Sequence, residues 1–314
     1  MNLGFVEDKA YQKAREFLIR NEPERRLDLR LSFKCFRALQ ELSHTAKKPG
    51  TACLTMHTYP RVEYSSKDST VTIITAQSGL HGMAAEALQR CIEDGLRTEL
   101  TKYANDVLLN ELDDQSNLSV KKPDGGLLYV KNGVQTIIAV VEVGVSESFA
   151  RLKVDMRRWM DEFHCQTGIL FSLKERPKFR YPAHAAMTRY SVNDPVPFRN
   201  AMTQYALNQP FGPYRYNGHD WFGAIGTAFI EIYRQDQVGP PQRTNVIENR
   251  QMLLQGNDNV VGLTVADLFP PGEEDIQGIE QVLVLFDAAR VQNSLATGAC
   301  RTAMTRFNGA VGRA

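Results

Sequence analysis

The segment that most constrains this chain is TIIAVVEVGV at 136–145. It is an almost unbroken apolar run of strand length, the pattern of a central strand buried on both faces. Asn132-Gly133 just before it is a tight-turn signal. Ahead of the turn, Gly126–Val130 has strand character, so the two runs are expected to form a hairpin. One carboxylate, Glu142, sits inside the apolar run, where a charged group needs a partner. Pro123-Asp124 opens the neighbouring strand, eighteen positions earlier. In a hairpin the mouth of one strand lies beside the far end of the other. Asp124 and Glu142 are therefore expected within roughly 6 Å, near enough to share one hard cation.

The flanks give the order of elements. Apolar residues at helical spacing from Ala84 to Tyr103 predict a long helix opening at Ser78-Gly79. Cys53–Tyr64 and Thr70–Thr75 read as β-type runs, and Asn117–Val120 as a further strand. After the central strand, Phe149, Leu152, Met156, Trp159, Met160 and Phe163 make one apolar face of a helix over about 147–164, with Ser146 as its N-cap. Thr167–Leu173 and Ile225–Tyr233 are the next strands. Residues 174–222 read as an irregular insertion, 235–258 as a polar connection and Val260–Leu268 as a short strand. A final helix is expected from about Ile276 to Arg306, with Glu273-Glu274-Asp275 in its first turn. Residues 7–46 fit two helices broken near Pro23.

Two carboxylates at ligand distance repel unless a cation lies between them. Mg²⁺ is held by one or two carboxylates, with waters and substrate phosphates completing its shell. Such an ion activates water and stabilises charge on a phosphodiester. Arg151, Lys153 and Arg157 fall on the following helix, and Lys174, Lys178 and Arg180 lie in KERPKFR; all suit a polyanion.

PDGG followed by VVEVG resembles the PD-(D/E)XK nuclease superfamily. EVGVSES with Leu152, Asp155 and Trp159, and Ser78-Gly79-Leu80-His81 opening the first helix, resembles a branch common in fungal genomes. The resemblance covers roughly residues 70–235. It implies an α/β (α+β) fold with a restriction-endonuclease-like αβββαβ core and a mixed central sheet. It also implies Mg²⁺ or Mn²⁺ at Asp124 and Glu142, with the Val143 carbonyl as a further ligand, and nucleic acid, DNA or RNA, as partner. The pattern places a lysine two positions after the second acid, and here that residue is Gly144. Lys153 is the expected substitute, on the flank of the apolar helix face. Lys131 belongs to the turn at the other end of the hairpin. Glu86 is expected in solvent and His81 in a local capping or structural role.

Composition sets outer bounds. Net charge is +1, so any polyanion footprint must be local. Five cysteines without CxxC spacing indicate reduced thiols in an intracellular, cytoplasmic or nuclear protein rather than a zinc ribbon or disulfide scaffold. The amino-terminal segment has no signal-peptide character, and no stretch approaches the ~18 apolar residues of a membrane span. The expected organisation is a helical extension over 1–50, a nuclease-like core over 51–235, and a strand and long helix over 236–314 packed on it. The expected function is metal-dependent phosphodiester hydrolysis. The alternative is a catalytically degenerate module of the same fold, favoured by Gly144, with the terminal helices as a protein-partner or homodimer surface.

Overall fold

The computed structural model describes residues 3–20, 26–45, 61–74, 78–102, 109–110, 123–131, 134–145, 148–182, 196–235, 237–254, 260–273 and 276–311. The chain divides into two compact units, Met1–Ser78 with Asp113–Lys122, and Gly79–Leu112 with Pro123–Ala314. The expected strands at Asn117–Val120 and residues 53–60, and the Asn132-Gly133 turn, lie outside the described residues.

In the first unit, helices α1 (Leu3–Arg20) and α2 (Phe33–Thr45) flank strand β1 (Arg26–Arg30). β2 (Arg61–Ser65) and β3 (Thr70–Ile74) complete an antiparallel sheet of order β1-β3-β2. Leu18, Phe36, Leu39, Val71 and Ile73 form its core. The break near Pro23 is thus followed by a strand, not directly by a helix. RLDLR alternates apolar and charged residues with period two, and that period governs over the helical spacing of its neighbours. Pairing of β1 with β3 moves the boundary of this unit to residue 78 instead of 50.

The second unit begins with α3 (Gly79–Lys102), β4 (Leu109–Asn110), β5 (Gly125–Lys131) and β6 (Val134–Val145). α4 (Phe149–Asp161) and β7 (Thr167–Arg176) follow. Then come α5 (Val196–Asn208), β8 (Tyr214–Tyr216), β9 (His219–Phe222), β10 (Ala224–Arg234), β11 (Gln242–Glu248) and β12 (Gln251–Met252). β13 (Val260–Thr264), β14 (Leu283–Leu285) and α6 (Ala288–Val311) end it. The unit is α+β, and its main sheet is mixed, with order β12-β11-β10-β7-β6-β5-β4. Every neighbouring pair is antiparallel except β6 and β7. A parallel pair needs a crossover, and α4 supplies it. α3 and α6 cover one face through Leu80, Leu88, Leu96 and Leu295. α4 covers the other through Leu152, Met156 and Trp159.

Ser148, not Ser146, caps α4; its side chain accepts the Arg151 N–H. The region read as an irregular insertion carries α5 and the β8–β9 hairpin, and the polar connection carries β11 and β12. The last helix starts later than expected, at Ala288. Gly278 has φ +90°, a conformation no continuous helix accommodates, and β14 intervenes. Glu273 instead accepts hydrogen bonds from Tyr129 Oη at 2.7 Å and Lys131 Nζ at 2.5 Å.

Among the described residues Cys91, Cys165 and Cys300 are buried and Cys35 is half-buried, all as free thiols. Burial pushes Cys91 up to about 11 and Cys165 up to about 12.

α6 is fixed to the sheet by a buried ion pair. Arg306 donates to both carboxylate oxygens of Glu175, at 2.7 and 2.9 Å, and its guanidinium lies 4.5 Å from the Phe179 ring. Glu175 also accepts the Gly223 N–H at 2.8 Å. Both side chains are almost fully buried. Glu175→Ala would leave Arg306 charged and uncompensated, with an expected loss of about 3–5 kcal/mol in denaturant unfolding. A loss below about 1 kcal/mol would mean that water reaches the guanidinium.

Candidate functional site

β6 continues past the point where β5 begins. Gly125 pairs with Val141, so the Val143 N–H has no β5 backbone partner beyond it. The Asp124 carboxylate fills the gap, accepting that N–H at Oδ2 over 2.9 Å. The same oxygen lies 2.9 Å from His81 Nε2 in the first turn of α3. Asp124, Glu142 and His81 are each less than a tenth exposed.

Residues 140–144 of β6 alternate between the two faces. Val141 and Val143 join the core under α3 and α6. Val140 packs with α4, and Gly144 lies directly under Leu152. Glu142 is on the α4 face with them, and its Oε1 accepts the Trp159 indole N–H at 2.5 Å. Asp124 thus turns toward α3 and Glu142 toward α4. Among the described residues no group of three or more His, Cys, Asp or Glu side chains is arranged around a common ion position.

The position of the absent motif lysine is filled. A Cβ added at Gly144 would fall 2.1 Å from Leu152 Cδ1. Gly168 on β7 does the same for Met156, whose sulfur would lie 2.1 Å from an added Cβ. The two glycines let α4 settle onto the parallel pair. Lys153 lies over Phe149, its Nζ 5.2 Å from the ring centroid. Phe149 packs edge-on against Phe229 of β10, and Arg243 covers both rings. Lys131 pairs with Glu273, as its place at the opposite hairpin end implies.

The remaining candidates lie at the surface. Arg151, Arg157, Lys174, Lys178 and Arg180 are exposed. Glu86 is exposed and paired with Arg90 one turn on, at 3.1 Å. Ser146 and Glu147 fall outside the described residues. Asp155, read only as part of the EVGVSES motif, is buried on α4 with Arg158 3.8 Å away. His81, expected in a capping or structural role, is the residue whose place beside Asp124 sequence reasoning did not give. Its signal was position: the first turn of a helix whose Gln89 amide donates to the Gly126 carbonyl of β5. That helix start lies beside the mouth of β5, where Asp124 waits.

No family model, curated protein or solved structure matches this chain. No described helix is long and apolar enough to cross a membrane.

Two stability experiments follow from this packing. Gly144→Lys should destabilise by at least about 1–3 kcal/mol, because the added side chain enters space held by Leu152; an unchanged unfolding midpoint would show that the helix yields. Trp159→Phe keeps an aromatic ring in the core but removes part of the indole and the N–H it offers Glu142. An expected loss of about 1–3 kcal/mol reflects a buried acceptor deprived of its donor. A neutral result in denaturant unfolding would place Glu142 in contact with water.

Proposed function

We propose that this protein is a nuclease-type module of the PD-(D/E)XK kind whose acidic motif has become structural, and that it acts by binding rather than by phosphodiester hydrolysis. The connectivity supports the fold assignment. α3-β4-β5-β6-α4-β7 runs helix, three antiparallel strands, crossover helix, parallel strand, in the spatial order β4-β5-β6-β7. Pro123-Asp124 stands at the mouth of the second of those strands, and Glu142 lies within the third.

The observation that carries the non-hydrolytic reading is Leu152 over Gly144. A lysine there would orient the attacking water and stabilise developing charge. The site instead holds an apolar side chain, and Lys153 is engaged at Phe149. Glu142 is committed to Trp159 beneath α4, where a polymeric substrate has no access. Mg²⁺ or Mn²⁺ fits this arrangement poorly, since the two carboxylates turn to different helices.

One observation favours the hydrolytic alternative. His81 and Asp124 bring two ligand-type side chains from separate elements to one point beside the Val143 main chain. The deciding experiment incubates the full chain with single- and double-stranded DNA and RNA in Mg²⁺ or Mn²⁺, alongside Asp124→Ala and His81→Ala. The expected result is no metal-dependent cleavage that distinguishes wild type from the variants. Cleavage by wild type that either substitution abolishes would replace this reading with a metal-dependent nuclease centred on His81 and Asp124.

A further inference from the structure

The end of β7 and the segment after it carry a row of cations. Lys174, Arg176, Lys178 and Arg180 are all exposed, while Glu175 is buried and Phe179 half-buried between them. The inward residues are locked: Glu175 holds Arg306 and the Gly223 N–H, and the Phe179 ring lies under the Arg306 guanidinium. The outward residues are therefore presented by a backbone that is fixed from behind. Lys174 and Arg176 are alternate residues of β7, about 6.6 Å apart, close to the separation of successive phosphates on a stretched nucleic-acid strand, and Lys178 and Arg180 follow on the segment beyond the bend at Pro177.

The charge of this row is not compensated locally. Among the described residues, Arg90, Arg215, Arg234, Arg243 and Arg290 each have a carboxylate partner. Among the described residues no ion pair involves any of the four cations of the row. The segment's one acid, Glu175, is neutralised by Arg306. Four uncompensated positive charges thus sit together in a chain whose net charge is only +1. Aromatic rings adjoin them. Tyr181, about a third exposed, packs edge-on against Phe179 at 4.9 Å, and His219 lies 5.9 Å from Phe179.

We infer that Lys174, Arg176, Lys178 and Arg180 form a phosphate-binding comb for a single strand of DNA or RNA, with Tyr181 stacking on a base at its end. A cationic track beside an exposed ring is the arrangement that holds single strands without reading sequence. The choice of nucleic acid as the polyanion rests on the nuclease-type reading of the fold. The comb itself rests on the surface alone.

The test is fluorescence anisotropy with labelled oligo-dT and oligo-U in EDTA, where nothing metal-dependent is cut. Four phosphate contacts predict a log–log salt slope of about −2.8 for a single strand. Lys174→Ala/Lys178→Ala/Arg180→Ala should weaken binding at least tenfold and bring the slope to about −0.7. Tyr181→Ala should weaken it by roughly tenfold with the slope unchanged. Circular dichroism and an unchanged unfolding midpoint verify that these surface variants fold. The comb is overturned if wild type binds neither oligonucleotide or if the triple variant binds as well as wild type. Tighter binding to duplex DNA would overturn the single-strand assignment. Equal binding to polyglutamate or anionic vesicles, with no effect of Tyr181→Ala, would overturn the nucleic-acid assignment. Failure here leaves the hydrolysis result untouched, and cleavage in Mn²⁺ would leave a positive binding result standing.

Discussion

α4 reaches its depth in the second unit because two strands beneath it lack side chains where it presses hardest. Gly144 and Gly168 stand on neighbouring parallel strands, and Leu152 and Met156, one helical turn apart, occupy the space. Much of the rest follows from that contact. The crossover that makes β6 and β7 parallel can be short, because the helix lies flat on both. Trp159, one turn further along, then comes down over β6 within reach of Glu142. A larger residue at 144 would lift the helix, lengthen that hydrogen bond and open the apolar seam to water.

The second constraint is the treatment of buried charge. Several carboxylates taken into the second unit are met by polar or cationic groups from other parts of the chain. Asp124 accepts the Val143 N–H, with His81 Nε2 2.9 Å from the same oxygen. Glu175 has Arg306 and the Gly223 N–H. Asp267 has Arg234 and Thr264, and Glu231 has Arg243 and Tyr233. A buried acid with a removed partner costs several kcal/mol, whereas the intact pair contributes little net stability. These pairs are therefore better understood as fixing which strand meets which helix. Asp267 ties the turn after β13 to the end of β10, and Glu175 ties β7 to α6. Tyr233, whose hydroxyl donates to Glu231, is held well above the usual phenol range by burial and that carboxylate.

The central hairpin and its crossover were legible because they are the most periodic part of the chain. Thr136–Val145 is apolar enough to mark a strand buried on both sides, and Phe149 to Trp159 repeats at helical spacing. Glu142 stood out for the same reason, as the one charge in an apolar run. Its partner was not legible, since a period assigns a face but not which donor on that face reaches an oxygen. Lys153 illustrates this limit: its place on the helix flank was readable, its contact with the Phe149 ring was not. β1 was hidden because five residues are too few to compete with strong helical patterns on both sides. α5 was hidden because VPFRNAMTQYALN has almost no segregation of apolar from polar residues, its two buried positions being Phe198 and Met202.

The burial of Cys91, Cys165 and Cys300 has a chemical consequence of its own. These are all the thiols of the second unit, and desolvation raises each of them above its ordinary range. The thiolate is the species that attacks disulfides, peroxides and alkylating reagents. With Cys165 pushed up to about 12, only on the order of one molecule in 10⁴ to 10⁵ carries that thiolate near neutral pH. While the unit stays folded, burial keeps these three side chains in the thiol form and out of reach of reagents in solvent.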